Sequence, residues 1–238
     1  MTEPISLEEL YREAVTFPGP NIPLAGLHTV LEAVEEELVH ACDQTTVRLH
    51  ARHKRDAESL HLDDRDLDLY ELQVTIEQIL PRVFRGGFVL TLWSIFEVVT
   101  KRMAEYICRE RGLPTVQSKF RRGNFLDALE RVYTQTLCVV AFPDPIVRQD
   151  LEQLRQVRNA IIHHNGNVTA LPEAMRDRGA EGYAVLGLQT YTDQDEEFFI
   201  PKADFLSRNL VLVHSYLTAL SGRAYAAAHP TPLEDNDA

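Results

Sequence analysis

Apolar residues recur at three- and four-residue steps along most of the chain, the spacing that gathers them on one side of an α-helix. From Leu24 to about Arg55 the residues Leu27, Val30, Leu31, Val34, Leu38 and Cys42 keep this rhythm and predict one long amphipathic helix. Ser6 followed by Glu9 has the capping-box pattern, predicting a short helix that ends before Phe17-Pro18-Gly19-Pro20. Asp66 to Gly112 is also strongly helical, with Leu69, Leu72, Val74, Ile76, Ile79 and Leu80 in its first part. Pro81 has no N–H to give the helix and Gly86-Gly87 add flexibility, so a kink or break is expected there. Beyond it, Phe88, Leu92, Ile95, Phe96, Val99, Met103, Tyr106 and Ile107 predict a helix apolar around much of its circumference, suited to a core or a subunit contact. Gly112 and Pro114 stop it.

Asn124 is placed to cap a helix reaching about Thr136, and Phe142-Pro143-Asp144-Pro145 forms a turn with Pro145 at the first position of the next helix. That helix runs to about His164, with Ile146, Leu151, Leu154, Val157 and Ile161 on its apolar side and Asn165-Gly166 as its stop. Gly182 to Leu188 and Phe198 to Ile200, separated by polar residues, predict a small β-hairpin, and Lys202 to about Ala227 predicts a last helix. The fold class expected is therefore mainly all-α: a helical bundle with a small β-hairpin before the C-terminal helix. Residues 1–65 are expected to supply N-terminal helices packing on or extending a domain at 66–228, followed by a flexible tail at 229–238.

Composition narrows the class. At 238 residues, 45% hydrophobic and 25% charged, the chain reads as a soluble globular protein with a sizeable core. Cys42, Cys108 and Cys138 are odd in number and widely spaced, which suits reduced thiols in a cytoplasm. No secretory signal is read at the N-terminus, and the most apolar stretch, Phe88 to Phe96, is too short to span a bilayer, so no membrane partner is expected. A net charge of −12 opposes non-specific binding to nucleic acid, so such a contact needs a local basic patch. Lys119, Arg121 and Arg122 are the candidate RNA-binding cluster, with a plain polar loop as the other account of them.

No phosphate-binding glycine loop, zinc-protease motif or nucleophile elbow is present. His50, His53 and His61 lie among basic residues without converging carboxylate or cysteine partners, so neither a metal nor another cofactor is expected. The segment from Leu154 to Gly166 differs: Arg158, Asn159, His163 and His164 crowd the end of an otherwise apolar helix. Here the chain resembles the HEPN family, whose signature is R-N-x-x-x-H. Arg158, Asn159 and His163 match it residue by residue, and His164 falls within its looser spacing. The upstream Trp93-Ser94-Ile95-Phe96-Glu97 resembles the family's other core helix, where an acidic residue commonly faces the site. The resemblance covers roughly Leu69 to Asn167. It implies a HEPN-like bundle, a homodimer lining one cleft with two motifs, and RNA cleavage leaving a 2′,3′-cyclic phosphate. A role as a toxin or in antiviral defence, with an antitoxin or regulatory protein as partner, belongs to the same implication. Some family toxins carry a tyrosine two residues after the histidine for modification by a nucleotidyltransferase; Asn165 stands there, so that route is not expected.

The residue types fit such chemistry. A guanidinium offers phosphate oxygens a permanently charged planar fork, and an imidazole titrates near neutrality. Asn159 can orient a neighbour or hydrogen-bond substrate. Five residues turn a regular helix by about 140°, however, so Arg158 and His163 converge only if the helix end distorts or two helices meet. A structural reading stands beside the catalytic one. His163 and His164 would interact with carbonyls at a helix C-terminus, Arg158 would pair with Glu97, and the protein would be a non-catalytic binding module for a protein or nucleotide. A third reading makes it the nucleotide-binding or substrate-binding partner of a separately encoded transferase.

Overall fold

The computed structural model describes residues 21–56, 70, 72–121, 123–176, 188–190 and 197–230. Helix accounts for 80% of them, and the fold is all-α. We label the α-helices α1 (Asn21–Asp56), α2 (Leu80–Glu110), α3 (Phe125–Glu130), α4 (Pro145–His164) and α5 (Asp204–Ala228). The short helix expected after Ser6 and the turn at Phe17–Pro20 lie outside the described residues.

The chain forms two compact units interleaved in sequence, one from Ser94–Glu152 and the chain from Val211, the other from Gly26–Trp93 and Gln153–Leu210. Helices α1, α2, α4 and α5 each give residues to both, α1 giving Asn21–Ala25 to the first. In the first unit the core is built from Phe96, Met103, Ile107, Leu126, Leu129, Tyr133, Leu151 and Leu217, all buried. Asn124 caps α3 as expected, its side-chain oxygen accepting from the Leu126 N–H at 2.9 Å, and a π turn at Arg131–Thr136 continues the helix. The Tyr133 hydroxyl donates to the Thr100 carbonyl at 2.7 Å, joining that turn to α2. The chain is held as far as His229, whose Nε2 lies 2.8 Å from the Tyr106 hydroxyl.

In the second unit Leu27, Leu31 and Leu38 of α1 are buried at the steps read from the sequence, with Phe88, Leu92 and Trp93 of α2 and Leu154 and Val157 of α4. Of the kink or break expected at Pro81 and Gly86-Gly87, no break occurs: the chain is helical from Leu72 to Glu110. The irregularity lies just before the proline, where Thr75–Ile79 winds as a π turn closed by the Leu80 N–H on the Thr75 carbonyl. In that register the Ile76 carbonyl faces Pro81, which has no N–H to offer. The Cys42 thiol of α1 donates to it instead, at 3.9 Å. Gly86 is buried, and a Cβ there would meet Ile161 at 3.8 Å, an ordinary contact. The helix runs on through both glycines, Gly86 buried against Ile161 and Gly87 exposed.

By length and composition alone Leu72–Glu110 could cross a membrane, with a mean hydropathy of 1.4 over its most apolar window. Half of that window is buried inside the fold, as in the core helix of a soluble protein. The expected β-hairpin is not formed as paired strands among the described residues. Gln189 and Phe199 exchange two hydrogen bonds of 3.0 and 2.8 Å, while Asn167 bridges Glu197 and the Phe198 N–H donates to the Gly166 carbonyl. Residues 197–199 thus divide their backbone pairing between two neighbours, and among the described residues no ladder extends from either bridge. The remainder of the expected hairpin, 182–187 and 191–196, lies outside the described residues.

Candidate functional site

Helix α4 carries the motif, and its two ends match the sequence reading. At the start, Pro145 needs no hydrogen-bond partner, and the Asp144 carboxylate accepts from the Ile146 N–H at 2.8 Å. Leu151, Leu154, Val157 and Ala160 are buried, which fixes the rotation of the helix. That rotation leaves Arg158 and Asn159 half-buried and sets His163 and His164 in the open. At the far end Asn165 and Gly166 take left-handed conformations, φ 52° and 74°. The Gly166 N–H reaches back to the Ala160 carbonyl at 2.8 Å and the Asn167 N–H to that of His164 at 2.8 Å, so backbone donors satisfy these two carbonyls at the helix end.

Within the motif, Arg158 Nη1 donates to Asn159 Oδ1 at 2.9 Å. Arg158 Nε is buried and has no hydrogen-bond partner among the described residues. Asn159 sits one turn before His163, on the same side of the helix, so it links the guanidinium to the face bearing the imidazole. The His163 and His164 rings stand edge to face, 6.5 Å apart, and neither makes a hydrogen bond or ion pair among the described residues. The helix stays regular through His164, so distortion of its end does not bring Arg158 and His163 onto one stripe.

The other sequence candidates have these surroundings. Glu97 accepts from Lys101 at 3.1 Å within α2. Lys119 and Arg121 are exposed on a 3₁₀ turn at Gln117–Arg121, with Lys119 Nζ donating to the Thr136 hydroxyl at 3.1 Å. Arg122 lies outside the described residues.

Sequence reasoning missed the arginines of α2. Arg82 donates to the Asn165 carbonyl and pairs with Glu197, and Glu197 also accepts from Asn165 Nδ2 at 2.8 Å. Arg85, 8% exposed, holds Glu35 with a 2.8 Å bond from Nε and donates to the Ile200 and Pro201 carbonyls. The signal was present: arginines set in an apolar helix demand partners. Beside the Arg82 clasp lies a mainly apolar pocket of about 240 Å³, lined among others by Val83, Leu90, Ile161 and Phe198. Comparison with protein-family models, with curated proteins and with solved structures finds no match.

Proposed function

We propose that this chain is an endoribonuclease of HEPN type that cleaves RNA without a metal ion. The observation that carries the reading is the idleness of His163 and His164 in the fold: both are exposed, and the helix end they occupy is closed by Gly166, Asn167 and Arg82 instead. Two titratable side chains with no structural task, one turn beyond an Arg-Asn pair, suit proton transfer to a ligand from solvent. In the reaction, the ribose 2′-oxygen attacks the adjacent phosphorus and the bond to the 5′-oxygen breaks. His163 accepts the proton from the 2′-hydroxyl, and the departing 5′-oxygen gains one, from the imidazolium of His164 or a second His163. Arg158 stabilises the charge that builds on the phosphoryl oxygens. Because Arg158 and His163 point about 140° apart on a regular helix, a second copy of the chain completes the cleft. A cytoplasmic toxin or defence role, held in check by an antitoxin or regulatory protein, follows from the same reading.

Labelled RNA incubated in EDTA with wild type, His163→Ala and Arg158→Ala tests this. Cleavage by wild type only, giving 2′,3′-cyclic phosphate ends, is the expected result; inactivity of a confirmed dimer across several RNAs refutes it. The second reading, a non-catalytic binding module, is favoured by the Arg158 guanidinium being turned onto Asn159 with Nε shielded from solvent.

A further inference from the structure

In a chain of net charge −12, four cations fall between Ser118 and Arg131: Lys119, Arg121, Arg122 and Arg131. Ser118, Lys119, Gly123 and Arg131 line an open hollow of about 570 Å³ in the first unit. Its framework is fixed from beneath. Phe120 is buried and stacks on Phe125, ring centroids 5.8 Å apart, so the turn bearing Lys119 and Arg121 is anchored with both side chains outward. Gly123 turns the chain with φ 77°, a conformation open to glycine, and Asn124 starts α3 directly after it.

Charge is sorted around the hollow. The two acidic residues of this segment, Asp127 and Glu130, are both taken by Arg148, at 2.6 and 3.1 Å. Arg131 and Arg121 make no hydrogen bond or ion pair among the described residues. The Lys119 ammonium is steadied by Thr136 and keeps two further protons to donate. Among the described residues, no carboxylate and no aromatic ring lines the hollow. Such a lining recognises oxyanions by charge and has no surface on which a base would stack.

We infer that this hollow binds the phosphodiester backbone of single-stranded RNA, Lys119 and Arg131 each neutralising a phosphate. The inference rests on the ribonuclease reading for its choice of ligand, and it adds Arg131, Ser118 and Gly123 to the residues that contact RNA. It provides the local basic surface that an acidic nuclease requires.

The test measures fluorescence anisotropy of a fluorescein-labelled single-stranded RNA against full-length His163→Ala protein, which holds RNA uncut, over a salt series. Adding Lys119→Ala and Arg131→Ala is expected to weaken binding about tenfold and to lower the salt dependence, log K against log salt, by about 1.4. The charge-keeping pair Lys119→Arg and Arg131→Lys is expected to bind as the parent does. Equal affinity with and without the two cations overturns the inference, as does a parent that binds no RNA at low salt. The two ideas fail separately. Hollow-dependent binding with no cleavage by wild type sinks the nuclease reading alone, whereas cleavage with hollow-independent binding sinks this one alone.

Discussion

Arg82 of α2 closes the helix that carries the histidines, its guanidinium donating to the carbonyl of Asn165 just past the end of α4. Glu197 locks the arrangement, pairing with Arg82 and accepting from the Asn165 side chain at 2.8 Å. A cation at a helix C-terminus also meets the negative end of the helix dipole. Replacing Arg82 by Ala is expected to cost about 1 kcal/mol, because the pair is partly exposed and water replaces some of what is lost. Urea denaturation would register this as a lower midpoint with an unchanged slope; no shift would mean the clasp is ornamental to stability.

Gly166 completes the same stop. Its φ of 74° disfavours any side chain, and a Cβ would sit 3.2 Å from the Phe198 carbonyl oxygen, which must move to admit it. That carbonyl's residue donates its own N–H back to Gly166 at 2.8 Å, so relief of the clash disturbs a bond already made. Gly166→Ala should therefore destabilise by about 1–3 kcal/mol, seen as a fall in Tm. An unchanged Tm would show that the segment at 198 yields freely.

These two contacts mark where sequence reading stops. The bounds of α1 and α4, the Asn124 cap and the Asn165-Gly166 stop were legible, because each depends on residues within one turn of the event. The continuity of Leu72–Glu110 was not: local rules set Pro81 and two glycines against the helix, and distant packing and the Cys42 thiol offset them. The motif residues could be named from spacing. The partner of Arg82, 115 positions further along the chain, could not. Nor could the capture of Asp127 and Glu130 by a single arginine, which decides the charge of the hollow beside them.

Arg85 offers a sharper test of a buried pair. Its guanidinium is 8% exposed, holds Glu35 through two nitrogens and donates to two carbonyls. Arg85→Met strands the Glu35 carboxylate and both carbonyls and is expected to cost about 3–5 kcal/mol. The double change with Glu35→Met should recover part of that loss, since it removes the abandoned charge. A double-mutant cycle showing simple additivity would argue against the pair as a unit.

Two buried tyrosines of the first unit should behave in opposite ways. The Tyr133 hydroxyl donates to the Thr100 carbonyl, whereas the Tyr216 hydroxyl is buried with no hydrogen-bond partner among the described residues. Tyr133→Phe is therefore expected to cost about 1–3 kcal/mol, and Tyr216→Phe to be neutral or mildly stabilising. Burial raises the pKa of both phenols, strongly, above the usual value. The folded state then keeps protons that the unfolded state releases above about pH 10, so stability is full below that pH and falls as pH rises further. Tyr216→Phe should blunt this alkaline loss. Equal alkaline unfolding of wild type and the variant would show that this phenol contributes nothing to it.

His163 and His164 allow function to be separated from fold. Both imidazoles are exposed and stand edge to face, neither makes a hydrogen bond or ion pair among the described residues, and the Ala160, His164 and Asn165 carbonyls at their end of α4 accept from backbone donors and from Arg82. Replacing either by Ala removes no internal bond, and alanine is a better helix former, so stability should change by no more than about 0.5 kcal/mol in either direction. If the same change abolishes RNA cleavage, the loss belongs to chemistry at the site. Two measurements on one set of variants decide it: urea midpoints, expected to coincide, and cleavage rates in EDTA, expected to collapse for His163→Ala. Matched losses of stability and cleavage would instead assign the histidines a structural role, and the nuclease reading would lose the observation it stands on.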